Sequence, residues 1–238
     1  MLLSCGDALI DFVPAKSIDG KDAYVPAVGG SCLNVATAMA RLGAPTGFVG
    51  GISTDLFGKL IAEHLAASNV VLDYATRPDL ETTCAFVKLV NGAAQYAFYD
   101  EGTASRTWTY APGAIPFDKI TALHVGSTTL INDPCASAYE ALVRAAQPQC
   151  IISFDPNVRP TLTKDIVPYR ARMNRLRRWP TLSACRTRIL NFCMKTMIMT
   201  VPPPNGCRTG PVWCSSPVAV TACWPIWRQA KPKRRPSR

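Results

Sequence analysis

The chain has 238 residues, of which 48% are hydrophobic, and a formal net charge of +10. This length suits one large α/β domain or two small ones. No run of about 18 apolar residues occurs, so we expect no transmembrane helix. The first residues lack a basic region, which argues against a signal peptide and predicts a cytoplasmic protein. The ten cysteines should then stay reduced, and their spacing predicts no zinc site or other metal site.

The charge is divided sharply along the chain. Residues 1–176 hold all 16 acidic residues and 14 of the 26 Lys and Arg, which gives a net charge of −2. Residues 177–238 hold the other 12 basic residues and no acid, together with nine prolines and no amphipathic period. We therefore expect a folded part over 1–176 and a disordered basic tail over 177–238. The basic run 231–238 would bind phosphates at low salt only in a non-specific way, so no specific nucleic-acid partner is expected.

The first 176 residues alternate strand and helix patterns, which predicts a doubly wound, mostly parallel sheet. Asn91-Gly92 is a strong turn signal and predicts a hairpin over residues 84–99. Polar residues at Asp11, Ser127 and Asp155 follow predicted strands, where such sheets bind ligands. In chain order, strands are predicted at 2–11, 47–52, 122–126 and 150–155, and helices at 36–42, 55–67, 136–146 and from about 166.

A glycine-rich segment carries the most chemistry. The paired glycines Gly29-Gly30 allow the backbone to approach a ligand, because no Cβ stands in the way. The amide of Asn34, in the helix that follows, can both donate to and accept from a polyol. The carboxylate of Asp11 can accept from two hydroxyls, which suits a sugar. On these residues alone, a glycine turn followed by a helix cap explains the segment equally well.

Five motifs occur in order along the chain, and they are Gly6-Asp7-Ala8-Leu9-Ile10-Asp11-Phe12, Gly29-Gly30-Ser31-Cys32-Leu33-Asn34, Thr54-Asp55-Leu56-Phe57-Gly58, Tyr96-Ala97-Phe98-Tyr99 and Asp155-Pro156-Asn157-Val158-Arg159-Pro160. Together they resemble the ribokinase/PfkB family of carbohydrate kinases, and within it the fructokinase and 2-keto-3-deoxygluconate kinase branch. The resemblance covers residues 1 to about 176. It implies a ribokinase-like α/β domain with a small β lid, roughly residues 12–28 and 82–99, and a fold that is incomplete at the C-terminus.

The resemblance also implies a set of site residues. Phe98, on the lid, would pack against the sugar, and Arg159 would lie near the phosphoryl-transfer side. Arg159 could instead form a surface ion pair, and Asp155 could simply cap its own turn. His64 and His124 match no motif and are interpreted as packing or surface residues. The residues expected to bind the substrate are Asp11, Gly29, Gly30, Asn34, Phe98 and Arg159.

The family reaction uses ATP and Mg²⁺, and the resemblance places its catalytic base and its anion hole in a C-terminal Gly-Ala-Gly-Asp motif. This chain contains no such sequence and no P-loop lysine motif. We therefore expect a fructokinase-like protein for fructose, a related ketose or a keto-sugar acid, without a catalytic base, ATP binding or turnover. The alternatives are a sugar-binding remnant and a nucleic-acid binder that uses the basic tail. A homodimer through the lid is also implied.

The tail is consistent with a shifted reading frame. Suppose that one base was lost near the codon of Leu176. Each codon of the original frame would then consist of the third base of one tail codon and the first two bases of the next. The genetic code then forces glutamate at Met194-Lys195 and aspartate at Met197-Ile198 and Met199-Thr200. With permitted wobble bases elsewhere, the shifted frame resembles the continuation of the kinase family. We therefore interpret residues 177–238 as a frameshifted tail on a truncated kinase.

Overall fold

The structure is a computed structural model that describes residues 1–90, 93–158, 162–163, 165–176, 178, 182–184 and 212–214. Its strands and helices alternate as the sequence predicts. In chain order they are β1 (Leu2–Cys5), β2 (Leu9–Lys16), β3 (Asp22–Gly29), α1 (Ser31–Arg41), β4 (Thr46–Val49), α2 (Leu56–Ala67), β5 (Cys84–Val90), β6 (Ala93–Tyr99), β7 (Ala122–Gly126), α3 (Cys135–Ala146), β8 (Ile151–Asp155), α4 (Ile166–Leu176), β9 (Leu182–Ala184) and β10 (Val212–Cys214).

The larger sheet has the strand order β10-β9-β8-β7-β1-β4, and each neighbouring pair is parallel. The predicted α/β fold with a mostly parallel sheet is therefore confirmed. Helices cover it because alternate side chains of each strand point to opposite faces. One core packs β7 and β8 against α3 and α4, and the other packs β4 against α1 and α2. Fully buried residues that fill these cores include Leu123, Tyr139, Tyr169, Phe48, Leu33 and Ile61.

The smaller sheet has the order β3-β2-β5-β6, in which only the central β2–β5 pair is parallel. The residues predicted as the lid lie in this sheet and in the segments beside it. The predicted hairpin is present as β5 and β6, while its turn at 91–92 lies outside the described residues. Phe12 of β2 stacks on Phe86 of β5 with ring centroids 4.5 Å apart, and it meets Phe57 of α2 edge-on at 5.6 Å. These aromatic contacts join the second sheet to the helix layer.

The predicted strand over residues 2–11 is wrong in one respect, because the structure divides it into β1 and β2. The break comes at Gly6, whose φ of 153° is a conformation that L side chains rarely adopt. The Gly6 N–H donates to the Val49 carbonyl at 3.0 Å, and a Cβ on Gly6 would overlap the sulfur of Cys32. The chain therefore leaves the parallel sheet at Gly6 and enters the second sheet at Leu9.

Two short strands come from the segment after residue 176, where the sequence pattern predicts none. β9 continues the parallel ladder of β8, with Leu182 paired to Ser153, and β10 pairs with β9. An open strand edge accepts almost any short extended segment, so a weak sequence pattern is enough for pairing. The remaining expectations for the tail, including its disorder and the basic run 231–238, lie outside the described residues.

Three further properties concern the described part of the chain. None of its helices combines the length and the apolarity that a membrane span needs. Within the same ranges, no group of three or more His, Cys, Asp or Glu side chains could hold a metal ion. Among the cysteines of these ranges, Cys5, Cys32, Cys84, Cys135 and Cys150 are free thiols.

Candidate functional site

The candidate site lies where the carboxyl ends of β1, β7 and β8 meet the base of the second sheet. Gly126 ends β7, and its α-carbon packs so closely on the Asp155 carbonyl that a Cβ would overlap that oxygen. Ser127 follows with a φ of 69°, and its N–H donates to the same carbonyl at 3.0 Å. Polar groups from distant parts of the sequence therefore converge at the edge where parallel sheets bind ligands.

Asp11 and Gly29 are brought together by the pairing of β2 with β3. A Cβ on Gly29 would overlap the Oδ2 atom of Asp11, so the carboxylate lies directly against the Gly29 backbone. Asp11 is half-buried. The glycine therefore gives the Asp11 carboxylate room at the junction between the second sheet and α1.

Gly30 starts α1 and shows why the second glycine is needed. Its φ of 115° favours glycine, and a Cβ there would lie 2.6 Å from the Asp7 carbonyl oxygen. Asn34 lies one turn further along α1, where its side chain is exposed. Gly29, Gly30 and Asn34 thus occupy one short stretch at the start of this helix, with Asp11 beside it.

Phe98 is placed by the register of the second sheet. Asp11 pairs with Ala85, and Ala85 pairs with Phe98, so the three residues form one row across β2, β5 and β6. Residues in such a row share a face of the sheet. Phe98 is half-buried and stacks on Tyr96 at 5.7 Å. A carboxylate and an aromatic ring therefore lie on the same sheet face, two strands apart.

The last predicted motif is only partly visible. Arg159 lies outside the described residues. Asp155 ends β8, and its Oδ1 atom accepts from the Asn157 N–H at 2.9 Å, which is the turn-capping role that the sequence also permits. Asn157 has a φ of 36°, so this turn enters the left-handed region.

Asp7 is the residue of this region that the sequence analysis missed. Its carboxylate is buried, with 5% of the residue exposed, and it accepts from the Cys32 N–H at 3.0 Å and from the Ser127 hydroxyl at 2.7 Å. A usable signal existed, because Asp7 directly follows a glycine after an apolar run. Treating residues 2–11 as one strand hid that signal.

Burial controls the protonation of the neighbouring groups. It raises the pKa of the Cys32 thiol well above its usual range, and the charge of Asp7 adds to the effect. Cys32 is therefore a neutral packing residue and not a nucleophile. Burial also lowers the pKa of His124, against the smaller opposing effects of Asp155 and Asp7. His124 is held by a 3.0 Å hydrogen bond between its Nδ1 and the Ser153 hydroxyl.

The described helices do not fit the phosphate groups of ATP. A helix binds phosphate through free N–H groups in its first turn. In each of the four α-helices described, an aspartate carboxylate already accepts from an N–H at or near that turn. The donors are Cys32 to Asp7, Gly58 to Asp55, Ser137 to Asp133 and Val167 to Asp165. These anions would repel a phosphate, so we derive no chemical step through ATP from these residues.

Comparison with known proteins decides the family. The pfkB family carbohydrate kinases match residues 1–196, which is most of the chain. The chain belongs to the pfkB family of carbohydrate kinases. The parallel sheet, the second sheet and the glycine segment at the start of α1 are therefore features of a pfkB protein.

Fructokinases are among the relatives of this pfkB chain. A fructokinase of Rhizobium leguminosarum bv. trifolii is 45% identical over 176 residues, which cover 74% of this chain and 54% of the relative. Fructokinase-1 of Oryza sativa subsp. japonica is 34% identical over 212 residues, covering 84% of this chain and 59% of the relative. The chain thus spans little more than half the length of these curated relatives.

Solved structures show the same similarity. The fructokinase of Xylella fastidiosa has a TM-score of 0.75 and 27% identity, covering 82% of this chain and 62% of that protein. A second structure of that fructokinase, with bound ATP, has a TM-score of 0.74 and 28% identity, covering 82% and 60%. The ribokinase-like fold of this chain is therefore shared with fructokinases.

Proposed function

We propose that this chain is the sugar-binding part of a fructokinase-like kinase. One observation carries the proposal: the Asp11 carboxylate lies against the Gly29 backbone and shares a sheet face with Phe98. A carboxylate accepts from two neighbouring hydroxyls, and an aromatic ring packs on the C–H face of a sugar. The exposed Asn34 amide supplies a donor and an acceptor on the helix beside them.

Fructose, or a related ketose or keto-sugar acid, is the proposed ligand, since the relatives compared above are named fructokinases. Titration of the purified chain with fructose and with 2-keto-3-deoxygluconate in a calorimeter tests this. Saturable heat with one of the two identifies the ligand, and no heat with either contradicts the proposal.

A pair of variants tests the role of Asp11. Asp11→Asn should weaken fructose binding at least tenfold, because hydrogen bonds to a charged acceptor contribute about 1.5–3 kcal/mol each. Asp19→Asn is the matched control, since Asp19 lies in the exposed loop between β2 and β3 and accepts from Ser17 and Lys21. Equal affinities for fructose in the two variants would refute the assignment of Asp11.

We propose further that these 238 residues alone do not transfer phosphate. In the intact family, ATP with Mg²⁺ supplies the phosphoryl group. The chain has no Gly-Ala-Gly-Asp sequence, and aspartates occupy the described helix starts. The test is an ADP-release assay on the purified chain with fructose, ATP and Mg²⁺. Fructose-dependent ADP release above the background of an Asp11→Asn sample would contradict this part of the proposal.

The second sheet is the proposed homodimer surface. Val13 and Val25 are cross-strand partners that remain 42% and 54% exposed, and Tyr96 on the same face of the sheet is 37% exposed. Exposed apolar patches of this kind usually mark an interaction site. Light scattering behind a sizing column should give a dimer mass that Val25→Glu reduces to a monomer mass. A monomer at all concentrations of the unaltered chain would contradict it.

The free thiols of Cys5, Cys32, Cys84, Cys135 and Cys150 are consistent with a reducing compartment, and a cytoplasmic location is part of the proposal.

A further inference from the structure

Asp7 is a buried carboxylate at the point where β1, α1 and β7 meet. Only 5% of the residue is exposed. Among the residues that the structure describes, no salt bridge joins Asp7 to a Lys, Arg or His side chain. A buried charge without a cation must be stabilised by hydrogen-bond donors, and it holds those donors in place in return.

The first donors belong to α1, which has no cap of its own. A helix usually begins at a Ser, Thr, Asp or Asn whose side chain accepts from the second or third N–H. The residue at that position is Gly30, which has no side chain to do this. Asp7 takes over both bonds, because its carboxylate accepts from Cys32 N–H at 3.0 Å and its carbonyl accepts from Leu33 N–H at 3.2 Å.

The second donor belongs to the end of β7. The Ser127 hydroxyl donates to the other oxygen of Asp7 at 2.7 Å, and Ser127 is 1% exposed. Its φ of 69° is a strained conformation for a residue with a Cβ, so surrounding bonds must hold it. The Ser127 N–H in turn donates to the Asp155 carbonyl at the end of β8. One carboxylate thus connects the start of α1 with the ends of two strands.

We infer that Asp7 is a positioning residue, which fixes the Gly29-Gly30 segment and Asn34 relative to the ends of β7 and β8. Asp7 is itself buried beneath the segment and acts on a ligand only through α1. The inference rests on the proposed function, since the groups that Asp7 positions are those proposed to bind the sugar. It adds a residue that sets the sugar affinity without a proposed contact with the sugar.

The test compares two aspartates that cap helices. Asp7→Asn keeps the shape of the side chain but removes one of its two acceptor oxygens. Asp133→Asn makes the same change at α3, where Asp133 accepts from the N–H and the hydroxyl of Ser137. Urea unfolding measures the stability of each variant, and calorimetry measures its affinity for fructose. A purely structural role would change stability alone in both variants.

The expected result is a loss of stability in both variants and about a tenfold weaker affinity for fructose in Asp7→Asn only, the change that about 1.4 kcal/mol produces. Unchanged affinity in a folded Asp7→Asn would overturn the inference and leave the proposed function intact. If that variant does not fold, Ser127→Ala decides, and an unchanged affinity there overturns the inference. No fructose binding by the unaltered chain would overturn the proposed function and this inference with it.

Discussion

Gly30 offers the sharpest test of how the glycine segment is built. Gly30→Ala introduces a Cβ that would lie 2.6 Å from the Asp7 carbonyl oxygen and 3.0 Å from the α-carbon of Ala8. Both neighbours are backbone atoms, so neither can swing aside as a flexible side chain would. The substitution must therefore shift the start of α1 away from residues 7–8, which connect β1 to β2, or strain it in place.

The loss of stability in Gly30→Ala has a conformational part and a packing part, and a matched control variant separates them. Gly43 also has a left-handed φ, of 86°, but a Cβ there would meet nothing within 4 Å. Gly43→Ala thus carries only the conformational cost, about 1–2 kcal/mol. Gly30→Ala carries a conformational cost of similar size and an overpacking cost of about 1–3 kcal/mol in addition. We expect Gly30→Ala to be less stable than Gly43→Ala by at least about 1 kcal/mol.

The assay is urea unfolding followed by circular dichroism, together with calorimetric titration of fructose. Fructose affinity should fall in Gly30→Ala and stay unchanged in Gly43→Ala, since Gly43 ends α1 at the far side from the site. Equal unfolding free energies for the two variants would show that the close approach of Gly30 to Asp7 is not real. The proposed packing of Gly30 on residues 7–8 would then be refuted.

Two other contacts and the reading frame give the remaining predictions. The hydrogen bond from Arg175 lowers the pKa of Glu140 below its ordinary value of 4.5, against the opposing effect of burial. The ionised Glu140 carboxylate therefore stabilises the folded state above pH 4.5, and this stabilisation is lost as the pH falls through the folded pKa. Glu140→Gln should lose about 1–2 kcal/mol in urea unfolding at neutral pH and progressively less as the pH falls below 4.5, and a difference independent of pH would contradict this. Asp55→Ala removes the cap of α2 and the bonds from the N–H and hydroxyl of Thr82 at 2.8 and 2.6 Å, and should cost about 2 kcal/mol in the same assay, whereas a loss below about 0.5 kcal/mol would contradict it. Sequencing codons 170–185 from fresh template should reveal one more base near codon 176. An unchanged sequence would contradict a sequencing artefact and make the 238-residue chain a genuine truncated kinase.

The sequence was sufficient for several of the elements, but not for all of them and not for the way in which they meet. β7 has the predicted bounds, and α2 starts one residue after its predicted first residue, because Asp55 is the cap. These elements are predictable because the spacing of apolar residues, the helix caps and the turn residues are all local features of the sequence. The break at Gly6 was not predictable in this way. It depends on Val49 and Cys32, which contact Gly6 only after the sheet and α1 have assembled.

The same distinction applies to the site. The glycine pair and Asn34 are close together in the sequence, so the sequence alone indicates that they share one location. The row that joins Asp11 to Phe98 depends on the register of three strands, which a single sequence does not specify without a pairing partner. Asp7 needed both the strand break and the missing cap at Gly30 to be recognised. The sequence therefore identifies the residue types of the site, but it does not specify the long-range contacts that bring them together.

The two strands after residue 176 bear on the frameshift. The printed sequence at β9 is Leu-Ser-Ala and at β10 is Val-Trp-Cys. With the frame shifted by one base, the codons across residues 181–184 permit Ile-Val-Ser, and those across 212–215 permit Leu-Val-Leu. Aliphatic and β-branched runs of this kind are typical of buried parallel strands.

The structure thus has strands at two positions where the shifted frame permits a more aliphatic segment than the printed one. If the extra base is found, β9 and β10 would have the more aliphatic residues of the shifted frame. The segment after residue 176 would also regain acidic residues, such as the glutamate at residues 194–195. A chain corrected in this way should be more stable in urea than the printed chain, because β8 then gains a well-matched neighbour. Equal stability of the two chains would show that these strands contribute nothing to the fold.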